Sequence, residues 1–255
     1  MTPRSLAATL CAACAVGLAL AAAAGAAPTG SREAAAAVPG PPTPRVAWVG
    51  RLVAPVVARR APARSARART VLQPLAPLGD GPTVLMITRS VVKRDPVAKR
   101  DRRWVEVLLP IRPNGVRGWV PASVLRIHST PFRIVIDVSD RRLTVFRANR
   151  PVIRAPVAVG KPGTETPRSD HFAIAELIRT RTPGAFLGPI VLPITGYSER
   201  LNEFAGGNGR VAIHGTSLPE LIGTAASNGC IRMRNRDIVR VARIARPGTP
   251  LKIRS

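Results

Sequence analysis

Cysteine is almost missing from this chain. Of its three, Cys11 and Cys14 fall in an apolar N-terminal segment, and Cys230 is left without an internal partner. A disulfide framework is therefore excluded as the basis of the fold. Histidine is equally scarce at three residues, so the thiols and imidazoles are too few for a familiar zinc site. Aromatic residues make up only 4%, which argues against the stacking surfaces of single-strand nucleic-acid binding. Acidic residues are outnumbered, 14 against 39 Lys plus Arg, and only Lys93, Lys99, Lys161 and Lys252 are lysines. The formal charge of +25 calls for a polyanionic partner, although arginine, alanine and proline are abundant throughout and part of the excess is compositional.

The first residues name a compartment. Met1 to Arg4 is positively charged, Ser5 to Leu20 is nearly unbroken apolar sequence, and Ala24-Gly25-Ala26 has the small residues of a cleavage site. Residues 1–26 read as a secretory signal peptide, with a retained membrane anchor as the alternative, because the apolar run approaches a bilayer-spanning length. Export follows, and a lone thiol in an exported chain is a reactive group rather than a staple. An exported anionic polymer rich in carboxylates, such as an anionic cell-wall polymer, is expected to suit the charge better than nucleic acid, and a membrane becomes a partner only if the N-terminal segment is kept. Residues 27–70, rich in Ala, Pro and Arg, are expected to form a flexible linker.

From 71 the pattern changes to short β-rich runs. Val84 to Thr88, Trp104 to Leu109 and Gly118 to Val120 are separated by turn residues, with Pro113-Asn114-Gly115 as a hairpin signal. Several strands in so short a stretch predict a small β-barrel over 71–127. The run WVEVLLPIRPNGVRGWV resembles the bacterial SH3-like modules that accompany cell-wall enzymes. Trp104 and Trp119 are read either as the lining of a peptide groove or as packing.

A second β-rich region follows. Phe132 to Val138 alternates, putting Ile134, Ile136 and Val138 on one face, Ser139-Asp140-Arg141 turns, and Leu143 to Phe146 returns. Further strands are predicted at 152–159, 172–178, 190–194, 211–213 and 249–253. Ile238, Val241, Ala242 and Ala245 share one face of a helix that Asn235 is placed to cap and Pro247-Gly248 ends. The fold class is mainly β, a sheet or sandwich with short helices.

Chemistry concentrates in Val211 to Met233, which holds both His214 and Cys230. An imidazole near a thiol lowers its pKa and accepts its proton, which suffices for acyl transfer. HGT followed by SNGCIRM resembles the signature of the L,D-transpeptidases of bacterial cell walls, the YkuD-type fold. IDVSDRRLTVF, PVAVGKPGT, GYSERLNEFAGGNGRVAIHGT and GTPLKI extend the likeness across 131–254. Two departures stand out. Thr166-Pro167-Arg168-Ser169-Asp170-His171-Phe172 lacks the glycine of the family's corresponding step, and Asn228 stands where histidine is common.

The resemblance implies Cys230 as nucleophile and His214 as general base and acid, acting on peptidoglycan stem peptides without metal or organic cofactor. Gly229 and Cys230 are expected to offer backbone N–H groups to an oxyanion, with Ser227 hydrogen-bonded inside the turn. Arg232 has two readings, a grip on a substrate carboxylate or a brace for the loop, and the brace is preferred. Asn228, Tyr197 and Thr216 are assigned to the substrate cleft. His128, beside the domain junction, and His171, in a loop, are expected to be bystanders. The competing functions are an L,D-carboxypeptidase that uses water as acceptor and a non-enzymatic wall-binding protein.

Overall fold

The structure is a computed structural model that describes residues 39–203 and 207–255. The expected signal segment, and the first part of the expected linker, lie outside the described residues. No helix among the described residues is long and apolar enough to cross a membrane.

Seven strands make the N-terminal sheet: β1 (Ala47–Leu52), β2 (Val56–Arg59), β3 (Ala68–Leu72), β4 (Val84–Arg94), β5 (Asp101–Leu108), β6 (Arg117–Pro121) and β7 (Leu125–Thr130). Their order is β3-β2-β6-β5-β4-β1-β7. The expectation of a flexible linker up to residue 70 therefore differs from the structure, since three strands precede residue 73. β1 lies inside the sheet, paired with β4 and β7, and it buries Ala47, Val49 and Leu52. The arginines around β2 and β3 gave the stretch its disordered look. They point outward from an edge hairpin while Ala58 and Leu72 turn inward, so charge on one face coexists with alternation on the other. Trp104 and Trp119 are buried, at 4% and 5% exposure, which settles them as packing residues. Arg89 covers the Trp119 ring.

The C-terminal unit begins with β8 (Phe132–Asp137), β9 (Arg142–Arg147) and β10 (Arg150–Pro156). Ile134, Ile136, Leu143 and Val145 face the core, as the alternation predicts. Ala148 and Asn149 both have positive φ, the conformation of a tight turn between twisted strands. Then come β11 (Val159–Gly160), β12 (Ser169–Ala173), β13 (Ile178–Arg179), β14 (Ile190–Tyr197), β15 (Arg210–His214), β16 (Ala225–Ser227), β17 (Ile231–Arg232), α1 (Asn235–Ile244) and β18 (Pro250–Arg254). One sheet has the order β10-β9-β8-β18-β12, another β13-β14-β15-β17, and β11 pairs with β16. A sandwich-like arrangement encloses one apolar cluster, which includes Phe172, Ile194, Ile213 and, from α1, Ile238, Val241 and Ala242. β14 is buried along its whole length, consistent with its near-continuous apolar sequence.

The two units are stitched together by polar groups. Asn114, in the turn between β5 and β6, accepts from the Tyr197 N–H at 2.8 Å and donates to the Tyr197 carbonyl at 2.9 Å, so one side-chain amide acts as a strand neighbour to the end of β14. Tyr197 Oη donates to the Pro110 carbonyl. Arg112 and Arg210 both stack on the Tyr197 ring, at 4.8 and 5.3 Å. Met86 and Leu108 meet Ala173 in a small apolar cluster across the same seam.

Candidate active site

β15 and β17 run parallel, with Ile213 opposite Ile231 and His214 opposite Arg232. This register sets Cys230, which immediately precedes β17, beside Ala212, and the Ala212 backbone hydrogen-bonds the sulfur. His214 and Cys230 both line one open, mostly apolar cleft of about 610 Å³.

His214 is 2% exposed, and its Nδ1–H donates to the Gly215 carbonyl at 2.6 Å. That bond fixes the tautomer and leaves the lone pair on Nε2. Burial pulls the imidazole down to about 4; the Gly215 carbonyl opposes this and the Arg232 charge adds to it. Burial pushes the Cys230 thiol up, against the Ala212 hydrogen bond and the Arg232 charge, which both favour thiolate. Near neutrality both shifts favour the uncharged forms, thiol and neutral imidazole.

Arg232 is 7% exposed. Its guanidinium lies 4.7 Å from the centre of the Phe186 ring, and that ring is 6.0 Å from His214. Its backbone is bridged to Ala158 in both directions, and its Nε has no hydrogen-bond partner among the described residues. Bracing is therefore only part of its effect, because the same cation favours neutral imidazole and thiolate together.

The turn before Cys230 is built around Ser227, which is fully buried. Its hydroxyl donates to the Cys230 carbonyl and accepts from the Gly229 N–H at 3.1 Å. Gly229 has φ +109°, a conformation open to glycine. Its N–H is thereby engaged inside the turn, which differs from its expected place in an oxyanion hole. The loop that lacks the family's glycine is ordered by Thr166, whose buried hydroxyl accepts from the Gly160 N–H at 2.9 Å.

Asn228 does line the cleft. Tyr197 does not: it is buried in the seam between the units, with its hydroxyl on Pro110. Thr216 is also buried away from the cleft, its N–H donating to Asn235 Oδ1 at 2.8 Å and its hydroxyl accepting from Leu218 N. Asn235 therefore does not cap α1, whose N-cap is Arg234 without a side-chain hydrogen bond. It braces the loop after His214 instead, and a side chain at Gly188 or Gly215 would collide with its oxygen. His128 and His171 are exposed and outside the cleft. Sequence reasoning missed Phe186, Leu187 and Leu78, whose signal was bulk apolar side chains in loops.

The family model for the L,D-transpeptidase catalytic domain, YkuD, matches residues 131–253. A putative L,D-transpeptidase YkuD of Bacillus licheniformis is 37% identical over 123 residues, 48% of this chain and 66% of that protein. The protein of the same description from Bacillus subtilis is 33% identical over 126 residues, 49% and 68% of the two chains. The chain thus spans about two thirds of the length of these relatives. An L,D-transpeptidase crystal structure from Mycobacterium tuberculosis is 17% identical with TM-score 0.42, covering 68% of this chain and 90% of that one.

Proposed function

The chain belongs to the family of YkuD-type L,D-transpeptidase catalytic domains, and from that premise we propose that it is an exported peptidoglycan L,D-transpeptidase that forms 3→3 cross-links through a Cys230 thioester. The observation that carries this reading is that a desolvated thiol and an imidazole whose Nδ1 is tied to the Gly215 carbonyl line one cleft. In the proposed reaction Cys230 Sγ attacks the carbonyl of the diaminopimelate-type third residue of a donor stem. The thiol proton passes to His214 Nε2, the C–N bond to the fourth-position D-Ala breaks, and the protonated imidazole gives its proton to the leaving amine. The amine of a second stem then attacks the thioester, His214 takes up its proton, and the thiol is restored. The Cys230 amide faces the developing oxyanion. Arg232 stabilises sulfur as it gains charge. The N-terminal sheet, with its likeness to SH3-like modules, and the cationic surface hold the enzyme against wall polymers in the periplasm or wall.

Mass spectrometry of the protein after incubation with a disaccharide-tetrapeptide tests the reading, with Cys230→Ala alongside. A thioester and a 3→3 dimer are expected from the unaltered chain alone. Tripeptide without dimer assigns a carboxypeptidase, and absence of both adduct and turnover assigns a wall-binding protein.

A further inference from the structure

We infer that the N-terminal unit forms part of the substrate cleft, with Leu78 as a wall that contacts the aliphatic part of the donor stem and Arg112 as the residue that positions the cleft residues Ser198, Leu201 and Asn208. This rests on the transpeptidase reading for the identity of the donor.

Leu78 lies in the connection between β3 and β4, outside the catalytic domain in sequence. It is 54% exposed, yet it lines the same cleft as Cys230 and His214. The connection is held as an arm rather than a slack loop: Ala76 N donates to Gly81 O and Thr83 N to Pro74 O, each at 2.8 Å, and Leu75 bridges Pro82. Its tip is anchored to the other unit. Leu78 N–H donates to Glu176 Oε2 at 3.0 Å, and the other oxygen of that carboxylate pairs with Arg210 at 3.1 Å. Glu176 and Arg210 are both almost wholly buried as side chains. Packing is close at Gly79, where a side-chain carbon would stand 2.7 Å from Ile178, itself a cleft residue.

Arg112 makes a second attachment on the rim. Its Nη1 donates to the Ser198 carbonyl at 2.8 Å, and its Nη2 to the Leu201 carbonyl at 3.1 Å and the Asn208 carbonyl at 3.4 Å. Ser198, Leu201 and Asn208 all line the cleft, so one planar guanidinium ties together both flanks of the connection between β14 and β15. Gly209 accommodates this grip, since a side-chain carbon there would lie 2.8 Å from Nη2. A wall and a rim of the cleft thus depend on a unit that carries none of the proposed reacting groups.

The test is the affinity of disaccharide-tetrapeptide for the full chain carrying Cys230→Ala, measured by calorimetry. Adding Leu78→Ser is expected to weaken binding about tenfold, as lost apolar contact predicts, while Leu78→Met restores it to within about twofold. Arg112→Ala is expected to weaken binding by a similar factor, and Arg112→Lys does not rescue it, because an ammonium cannot reproduce the fork. Thermal unfolding of the Leu78 variants stays at the parent value. Equal affinity in parent and Leu78→Ser overturns the inference while the transpeptidase reading stands. A parent that binds no tetrapeptide overturns the substrate reading and this inference with it.

Discussion

At the scale of single residues, the proposed chemistry turns on two groups that the fold keeps neutral. His214 has its folded pKa lowered to about 4, below the ordinary 6.5 or so of a free imidazole. The acid limb of kcat/KM is therefore expected near pH 4, and a pH–rate profile with its limb between 6 and 7 would show that the imidazole is solvated during turnover. Stability follows the same shift. Between the two pKa values the unfolded chain binds a proton that the native chain refuses, so this contribution falls as pH drops from 6.5 to 4 and is level below that. The fall amounts to about 3 kcal/mol, readable from urea unfolding at pH 7 and pH 4 against His214→Gln. Arg232→Met, which keeps much of the bulk on Phe186 and removes the cation, is expected to move the acid limb upward and the Cys230 alkylation midpoint further toward alkaline pH. His214 and Cys230 could be singled out in sequence because the motif that holds them is local. The Phe186 stack could not, because a cation and a ring far apart in the chain meet only after three strands have formed between them.

At the scale of elements, the parallel pairing of β15 with β17 does the positioning. Two short strands separated by a long connection bring residues 214 and 230 to one cleft, and the turn around Ser227 sets the angle at which β17 begins. Ser227→Ala removes both bonds of that hydroxyl and leaves the Gly229 N–H without its acceptor. A loss of about 10- to 100-fold in kcat with KM little changed is expected from single-turnover kinetics, since misplacement of a nucleophile acts on the chemical step. Alternation gave β8 and β9 to sequence reading, and helical spacing gave the buried face of α1. It failed for Tyr197, Thr216 and Asn235, each of which has a polar group suited to a cleft and uses it on backbone elsewhere. Nothing in a local pattern distinguishes a hydroxyl that meets substrate from one that meets a distant carbonyl.

At the scale of the whole molecule, the two units are joined through nearly buried charge. Glu176 bonds Leu78 of one unit and Arg210 of the other. Glu176→Gln leaves the Arg210 guanidinium buried without its counter-charge, and a loss of about 3 to 5 kcal/mol is expected in urea unfolding. Tryptophan fluorescence, which reports the N-terminal sheet, and circular dichroism of the whole chain are expected to move together. The boundary at residue 70 was misread because an edge hairpin carrying arginines has the composition of a tether. The C-terminal strand has a further consequence, and it concerns time. β18 sits inside its sheet, between β8 and the edge strand β12, with Leu251 opposite Ile134. Its arrival closes a loop that takes in nearly the whole unit, so this sheet is completed by long-range pairing and folds slowly for its size. A chain interrupted before Pro250 holds β8 and β12 as two bare edges over an unfinished core, the state in which copies of it are most prone to pair with one another.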